Sequence, residues 1–202
     1  MTRIILARHG ESIWHRENRY AGTTDIPLTA TGRAQADALA AWAGQQNLAA
    51  VVASGMGRSV ESAKPSAAAS GLELATDARL KELDFGQAEG LTADEIRVKH
   101  PRHYQAFLAD PALNPLPGGE RPWDAAARGL AALADLRSSH PDGRVLVVAH
   151  STLIRLVLCS LLGLPLRDYR RVFPKLDNCS LTEIRLSPAG VSLLQFNAPL
   201  QP

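Results

Sequence analysis

Short apolar runs alternate along the chain with longer stretches of helical composition. Three of the runs have the length and continuity of buried strands: residues 4–7, 48–53 and 145–149. Weaker strand patterns lie at residues 72–76, 181–186 and 191–196. Because strands alternate with helices, the pattern predicts an α/β fold with a largely parallel central sheet.

Helical patterns lie between these strands. They cover residues 30–42, 58–70, 122–138 and 151–162. A short helix is also expected to start at the capping box of residues 92–95, and another to begin at Pro101 and to end before Asp110. Pro65 falls inside the second helix and is expected to kink or restart it. The polar segment 8–28 is too irregular for either element. With no repeat or linker in the sequence, we expect one domain over residues 1–202, with a small cap-like insert at about 91–121.

Composition and charge exclude several classes of protein to which this chain could belong. Of the 202 residues 46% are hydrophobic, which argues against disorder, and 22 Lys and Arg against 20 Asp and Glu give a net charge of +2. So small an excess argues against a protein that coats nucleic acid or membranes. The two cysteines form no disulfide framework, and no signal peptide or run of ~20 apolar residues is evident. We therefore expect a cytoplasmic protein with neither membrane nor nucleic acid as partner.

Candidate chemistry lies at the ends of the predicted strands. Ligand sites in α/β sheets lie beyond the carboxyl ends of the strands. His9 follows the first strand and His150 follows the strongest one, while Arg58 comes a few residues after the second. The pattern therefore brings two histidines and an arginine towards one edge of the sheet.

Three other features have simpler interpretations. His100 and His103 are spaced as metal ligands on a helix, but no third ligand clusters beside them, and we interpret them as surface residues. The glycines around Met56 lack the Gly-Lys-Ser/Thr of a phosphate-binding P-loop. Ser151 lies at a strand-to-helix turn as in serine hydrolases, but no histidine follows it in the chain to complete a triad.

Five segments, in order, resemble the motifs of the histidine phosphatase superfamily, also called the phosphoglycerate mutase-like family. They are Arg8-His9-Gly10-Glu11-Ser12, the segment from Gly22 to Gly32 with Asp25-Ile26-Pro27-Leu28-Thr29, Ser54 to Ala63 with Arg58, Leu80 to Gly86 with Glu82, and Val147 to His150 with Ile154-Arg155. The resemblance spans nearly the whole chain. It implies a three-layer αβα sandwich with helices on both faces of the sheet.

The resemblance also implies roles for individual residues. His9 would be the nucleophile that forms a phosphohistidine, His150 would donate to the same phosphoryl group, and Glu82 would protonate the leaving alkoxide. Spacing alone does not choose Glu82 over three nearby carboxylates, those of Glu11, Asp84 and Glu89.

Arginine chemistry supports this interpretation independently. A phosphate monoester is dianionic, and without a metal its charge must be met by fixed cations and N–H donors. Guanidinium is planar, always protonated and binds two phosphate oxygens at once, so Arg8 and Arg58 are the candidate phosphate ligands.

The match departs from the family pattern at several positions. His15 stands where the family often has an Asn that binds phosphate, and its charge would depend on pH near neutrality. Ser151 stands where Gly is usual. Both, with Gly22, are candidate phosphate contacts. Arg121 replaces a Ser, and it meets either an acidic part of the substrate or a surface partner.

Substrate choice is expected from residues 91–121 and 166–178. The second segment carries a basic patch that is either a second anion site or a solvated face: Arg167, Arg170, Arg171 and Lys175.

The sequence therefore predicts a phosphomonoesterase that needs no metal or cofactor and acts on a small phosphorylated metabolite. A phosphoglycerate mutase is the nearest alternative. Mutases of this family look longer, however, with more sequence than this chain has between Glu82 and His150. The other alternative is a protein that binds phosphorylated ligands without turnover. The sequence is also compatible with a homodimer.

Overall fold

The computed structural model describes residues 1–200. Within them six strands form one mixed sheet in the order β3-β2-β4-β1-β5-β6. The strands are β1 (Thr2–Arg8), β2 (Ala50–Ala53), β3 (Leu74–Thr76), β4 (Arg144–Ala149), β5 (Leu181–Ser187) and β6 (Gly190–Ala198). Strands β1 to β4 are parallel to one another. Strand β5 pairs antiparallel with β1, and β6 pairs antiparallel with β5 at the edge of the sheet. The predicted α/β fold with a largely parallel sheet is confirmed.

The helices of the same range pack on both sides of this sheet. They are α1 (Ile13–Arg16), α2 (Ala30–Ala43), α3 (Gly57–Ala69), α4 (Ala93–Lys99), α5 (Pro101–Ala109), α6 (Pro122–Ser139), α7 (Ser151–Leu161) and α8 (Tyr169–Val172). Short 3₁₀ turns lie at Ala78–Leu80, Gly86–Ala88 and Leu166–Asp168.

Alternation along the central strands divides the core into two halves. On β1, Ile4 and Leu6 face the half that contains α6 and α7, whereas Ile5 and Ala7 face the half that contains α2 and α3. Successive side chains of a strand point to opposite faces, so a strand covered on both faces must be apolar throughout. The result is the three-layer αβα sandwich that the family resemblance implies.

The register between β1 and β4 positions the candidate chemistry. Arg8 pairs with Ala149 as the last partners of this parallel ladder. The next residues, His9 and His150, therefore leave the sheet side by side, and their ring centroids are 5.1 Å apart. On the other side of β4, Ala53 pairs with Val148, so Ser54 and the start of α3 follow at the same edge.

Two local expectations are corrected. Helix α3 is continuous through Pro65, its ninth residue, so the helix does not restart there. Segment 8–28, expected to be irregular, contains the short helix α1, which Ser12 caps by accepting from the N–H of His15. One turn of helix is too short to show a periodic pattern.

The 91–121 insert consists of α4, α5 and a turn-rich loop. Thr92 and Glu95 form the capping box at the start of α4, as the sequence predicts. Ile96, Tyr104 and Phe107 are buried and join the core half formed by α6 and α7. Over residues 1–200, no helix is both long and apolar enough to cross a membrane.

Candidate active site

His9 is buried immediately after β1. Its backbone N–H donates to the carbonyl of Ala149 (3.0 Å), and Nδ1 lies 2.7 Å from the carbonyl oxygen of Gly10. Because a carbonyl oxygen only accepts, Nδ1 carries the proton and Nε2 keeps its lone pair. Burial, followed by the charges of Arg58 and Arg8, holds the pKa of His9 well below its usual value. The imidazole is therefore neutral at pH 7, with Nε2 unprotonated.

Arg58, the second residue of α3, is fully buried beside this imidazole. Its Nε donates to Nε2 of His9 (3.2 Å), while the two terminal nitrogens donate to the carbonyl oxygens of Thr24 (2.8 Å) and Gly22 (2.7 Å). Burial lowers the pKa of Arg58, but a guanidinium stays protonated at neutral pH. The carbonyls fix the plane of the guanidinium without neutralising its charge.

His150 lies opposite His9 as the residue that precedes α7. Its Nε2 is 2.7 Å from the hydroxyl oxygen of Ser54, and its buried Nδ1 has no hydrogen-bond partner within residues 1–200. Burial, followed by the charges of Arg58, His9 and Arg8, holds the pKa of His150 well below its usual value. Both imidazoles of the site are therefore neutral.

Glu82 is buried at the amino end of α7. Oε1 accepts from the backbone N–H groups of Leu83 (2.8 Å) and Leu153 (2.9 Å), and Oε2 accepts from that of Thr152 (3.0 Å). A carboxyl group has about four acceptor positions, so Oε2 retains a free one. These three bonds hold the carboxyl in one orientation.

The other three carboxylates that spacing left open have other partners. Glu89 accepts from the backbone of the 23–24 loop, Asp84 from the N–H of Gly86, and Glu11 from the hydroxyl of Thr29. Of the four, Glu82 alone among the described residues lines the cleft that holds His9.

Arg8 and His15 lie on the wall of this cleft. Arg8 donates to the carbonyl of Leu176 (2.8 Å), and burial lowers its pKa to about 10, which leaves it charged. Burial, followed by the charge of Arg8, lowers the pKa of His15 to about 4. His15 therefore does not change charge near neutrality, contrary to expectation, because its ring is desolvated beside a fixed cation.

Gly22 and Ser151 occupy different positions. Ser151, the first residue of α7, is half-buried and lines the cleft. Gly22 is buried and does not line the cleft; the carbonyl oxygen of Gly22 accepts a hydrogen bond from Arg58. A Cβ at Gly22 would overlap the carboxylate of Glu89 and lie 2.8 Å from the carbonyl oxygen of Leu83, so only glycine fits there.

The cleft has a volume of about 520 Å³. Its lining comprises Arg8, His9, Ser12, His15, Asn18, Arg19, Tyr20, Ala21, Glu82, Phe85, Ser151, Thr152, Arg155, Arg170 and Pro174. Arg58 and His150 are fully buried and are not among these lining residues, but both lie against His9, Arg58 through its hydrogen bond and His150 with its ring centroid 5.1 Å away. No described lining residue comes from the 91–121 insert, so its influence is indirect, through Phe107 beneath Arg170 (4.7 Å from guanidinium carbon to ring centroid).

Sequence reasoning missed several polar neighbours of His9 and His150. Asn178 donates to the carbonyl of His9 (2.7 Å), and the hydroxyl of Ser62 accepts from the N–H of Gly10 (2.9 Å). Ser54 contacts His150, and both Ser54 and Ser62 lie in the segment from Ser54 to Ala63 that resembles a family motif. The available signal for Ser54 is its position directly after a strand that pairs with β4.

The remaining surface candidates lie away from this cleft. Arg121 is exposed and forms an ion pair with Asp124 (2.8 Å). Of the two predicted alternatives for Arg121, the structure therefore shows the surface ion pair, and Arg121 does not line the cleft. His100 and His103 stack edge to face at 6.5 Å between centroids. Within residues 1–200, no group of three or more His, Cys, Asp or Glu side chains is placed to hold a metal ion.

Comparison with known proteins agrees with this geometry. The model of the histidine phosphatase superfamily (branch 1) matches residues 4–199. The chain belongs to this superfamily. It is therefore related to phosphatases that act on small phosphorylated substrates.

Individual relatives within the superfamily carry different names. A protein of Enterobacter sp. (strain 638) named probable phosphoglycerate mutase GpmB is 33% identical over 184 residues, which cover 91% of this chain and 85% of that protein. The structure of Bacillus stearothermophilus YhfR matches with a TM-score of 0.92, 30% identity and 98% of each chain covered. Mycobacterial glucosyl-3-phosphoglycerate phosphatase matches with a TM-score of 0.88 and 29% identity, over 98% of this chain and 99% of that one.

Proposed function

We propose that this protein is a metal-independent phosphomonoesterase that works through a phosphohistidine on His9. The observation that carries the proposal is the state of His9: Nδ1–H is held by the Gly10 carbonyl, which leaves the lone pair of Nε2 beside a guanidinium. A nucleophilic imidazole needs that lone pair. The guanidiniums of Arg8 and Arg58 supply the cationic charge that a phosphoryl group requires.

In the first step Nε2 of His9 attacks phosphorus, a P–N bond forms, and the P–O bond to the substrate alcohol breaks. Glu82, in its protonated form, gives its proton to the leaving alkoxide. Oε2 is the suitable carrier, because it accepts one backbone N–H whereas Oε1 accepts two. Positioned proton donors contribute typically ~10²–10⁴ in rate.

In the second step water attacks phosphorus, the P–N bond breaks, and inorganic phosphate leaves. The Glu82 carboxylate takes the proton of the attacking water, which restores its starting form. The electron pair of the broken bond returns to Nε2 of His9. His150, whose Nδ1 has no hydrogen-bond partner in the described chain, is suited to contact the phosphoryl oxygens through both steps.

Phosphoglycerate mutase activity is the second candidate. The relative named probable phosphoglycerate mutase favours it, and chain length does not argue against it, because the match covers 85% of that relative. A mutase returns the phosphoryl group to product, whereas a phosphatase passes it to water. The similarity to glucosyl-3-phosphoglycerate phosphatase supports transfer to water.

The test compares two products from the same incubation with 3-phosphoglycerate. We expect release of inorganic phosphate to exceed formation of 2-phosphoglycerate. The reverse order would establish the mutase. Hydrolysis of an aryl phosphate is expected to withstand a chelator and to be inhibited by vanadate.

The nucleophile is tested by His9→Ala, with His103→Ala on the exposed surface of α5 as the matched control. We expect His9→Ala to lower turnover by more than about 10³-fold and to abolish an acid-labile, base-stable phosphoenzyme after rapid quench. Full turnover in this variant would refute the mechanism. Ligand binding without turnover in the unaltered protein would instead indicate a binding protein.

A further inference from the structure

The cleft contains two guanidiniums that the proposed chemistry does not use. Arg155 lies on α7, one turn after Ser151, and Arg170 lies on α8. Both line the same cleft as His9 and Glu82. Neither takes part in any of the ion pairs found within residues 1–200.

Their basic neighbours are neutralised locally or point elsewhere. Arg19, also in the cleft, pairs with Glu17 and Glu95 (both 2.9 Å). Arg171 is exposed and pairs with Asp168 (3.0 Å), and Lys175 is exposed and pairs with Asp177 (3.0 Å). Arg167 is exposed and does not line the cleft. Of the four basic residues predicted as a patch at 167–175, Arg170 is the one that lines the cleft.

Arg170 is oriented by neutral groups. Its Nε donates to the hydroxyl of Tyr169 (3.0 Å) and a terminal nitrogen to that of Tyr20 (3.4 Å), while Phe107 lies beneath its plane at 4.7 Å. Tyrosine hydroxyls and aromatic faces hold a guanidinium in place without cancelling its charge. Such an arrangement preserves the cation for a partner that arrives from the cleft.

Arg155 is held less by its surroundings. Its buried Nε has no hydrogen-bond partner in the part of the chain that the structure describes. Burial lowers the pKa of Arg155; Tyr169 and Glu82 oppose this effect, and the nearby charge of Arg170 adds to it. Two like charges that share one desolvated wall repel each other, and an anion bound between them removes that repulsion.

We propose that Arg155 and Arg170 form a second anion subsite, and that the preferred substrate is a phosphomonoester carrying another anionic group. This inference rests on the proposed function, in which Arg8 and Arg58 take the reacting phosphoryl group. Of the described groups that line the cleft, one carboxylate, that of Glu82, faces three guanidiniums without acidic partners: Arg8, Arg155 and Arg170. A single phosphate dianion leaves the last two unmatched.

The test measures discrimination between matched substrates. The first pair is 3-phosphoglycerate and glycerol 3-phosphate, which differ by a carboxylate in place of a hydroxymethyl group. The second pair is fructose 1,6-bisphosphate and fructose 6-phosphate, which differ by a second phosphate. For each pair we take the ratio of kcat/KM for phosphate release, with the more anionic substrate in the numerator.

We expect a ratio of at least about ten in one pair or both, since charge-assisted hydrogen bonds to guanidinium are strong. The pair that shows it identifies whether the second group is a carboxylate or a phosphate. Arg170→Gln is expected to reduce that ratio at least about fivefold, whereas Arg171→Gln, an exposed arginine one residue away, retains it. Arg155→Gln provides an independent variant if Arg170→Gln fails to fold.

Ratios near one in both pairs for the unaltered protein would overturn the subsite while phosphate release upheld the proposed function. An equal loss in Arg171→Gln would also overturn it, because the effect would then be a general surface field. Absence of phosphate release from every substrate, by contrast, would refute the proposed function itself.

Discussion

Arg58 donates its Nε–H to Nε2 of His9 across 3.2 Å, so a fixed cation contacts the nitrogen whose lone pair the proposed reaction uses. The contact is possible because the other ring nitrogen of His9 is committed to the Gly10 carbonyl. Burial lowers the pKa of His9 most, and the adjacent guanidinium lowers it further because it opposes a second positive charge, so the imidazole stays neutral. An incoming phosphoryl group would meet the guanidinium and the nucleophile together.

Replacing Arg58 by lysine is expected to lower kcat/KM for an aryl phosphate by about 10²–10³-fold. A single ammonium group cannot reach the carbonyls of Gly22 and Thr24 and the imidazole of His9 in one plane. Steady-state kinetics checks this, with Arg33→Lys as the control, because Arg33 is exposed on α2. A loss below about threefold would show that charge alone suffices.

Replacing Glu82 by glutamine is expected to impair alkyl phosphates far more than aryl phosphates. Removal of the proton donor lowers the rate by ~10²–10⁴-fold for a poor leaving group, and much less for a phenolate that needs no proton. Comparison of the two substrate classes separates this effect from a structural one. Equal losses on both classes would argue against proton donation.

The same substitution is expected to reduce stability. With the amide oxygen in the place of Oε1, the NH₂ group faces the backbone N–H of Thr152 and cannot accept from it, and a buried unsatisfied donor costs about 1–3 kcal/mol. Denaturant unfolding measures this, with Glu73→Gln on the surface as the matched control.

Glu89 positions Arg58 through the 23–24 loop. Its carboxylate accepts from the N–H groups of Thr23 (2.7 Å) and Thr24 (2.8 Å), and also from the hydroxyl of Thr24. The carbonyl of Thr24 in turn holds the guanidinium. Glu89→Gln is expected to reduce kcat/KM about tenfold, because an NH₂ group cannot accept from the loop.

A double-mutant cycle distinguishes this positioning role from an independent one. Glu89→Gln should add little to the loss already caused by Arg58→Lys, since both changes act on one guanidinium. Additive losses would show that Glu89 acts without Arg58.

Acid is expected to destabilise the protein through its buried neutral histidines. An unfolded histidine has a pKa of ~6.5, whereas the pKa values of His9 and His150 lie well below that in the folded chain. Below about pH 6.5 the unfolded state therefore binds protons that the native state does not, and the free energy of unfolding falls. The slope is up to about 1.4 kcal/mol per pH unit for each histidine, and it vanishes above that pH.

Denaturant unfolding between pH 7.5 and 5 checks this dependence. His9→Gln should flatten the slope, whereas His103→Gln, at an exposed position, should not. Parallel pH profiles for His9→Gln and the unaltered protein would show that His9 does not contribute.

Elements with a long, regular pattern could be predicted from the sequence. Apolar runs gave β1, β2 and β4, and capping residues placed α2 and α4, because burial on both faces and helix ends each demand particular residue types. The short helix α1 could not be predicted because one turn shows no periodic pattern. The continuity of α3 through Pro65 could not be predicted either, since the buried residues on both sides of Pro65 hold the helix together by tertiary packing.

The sequence by itself determined that His9 and His150 follow parallel strands, and a parallel sheet brings such ends to one edge. Only the tertiary structure decided which nitrogen of His9 is unprotonated, that His15 stays neutral, and which of four carboxylates enters the cleft. It also decided that Arg155 and Arg170 share a wall without an acidic partner in the described chain. These properties depend on desolvation and on hydrogen bonds a few ångströms long between residues far apart in the chain, which no one-dimensional pattern encodes.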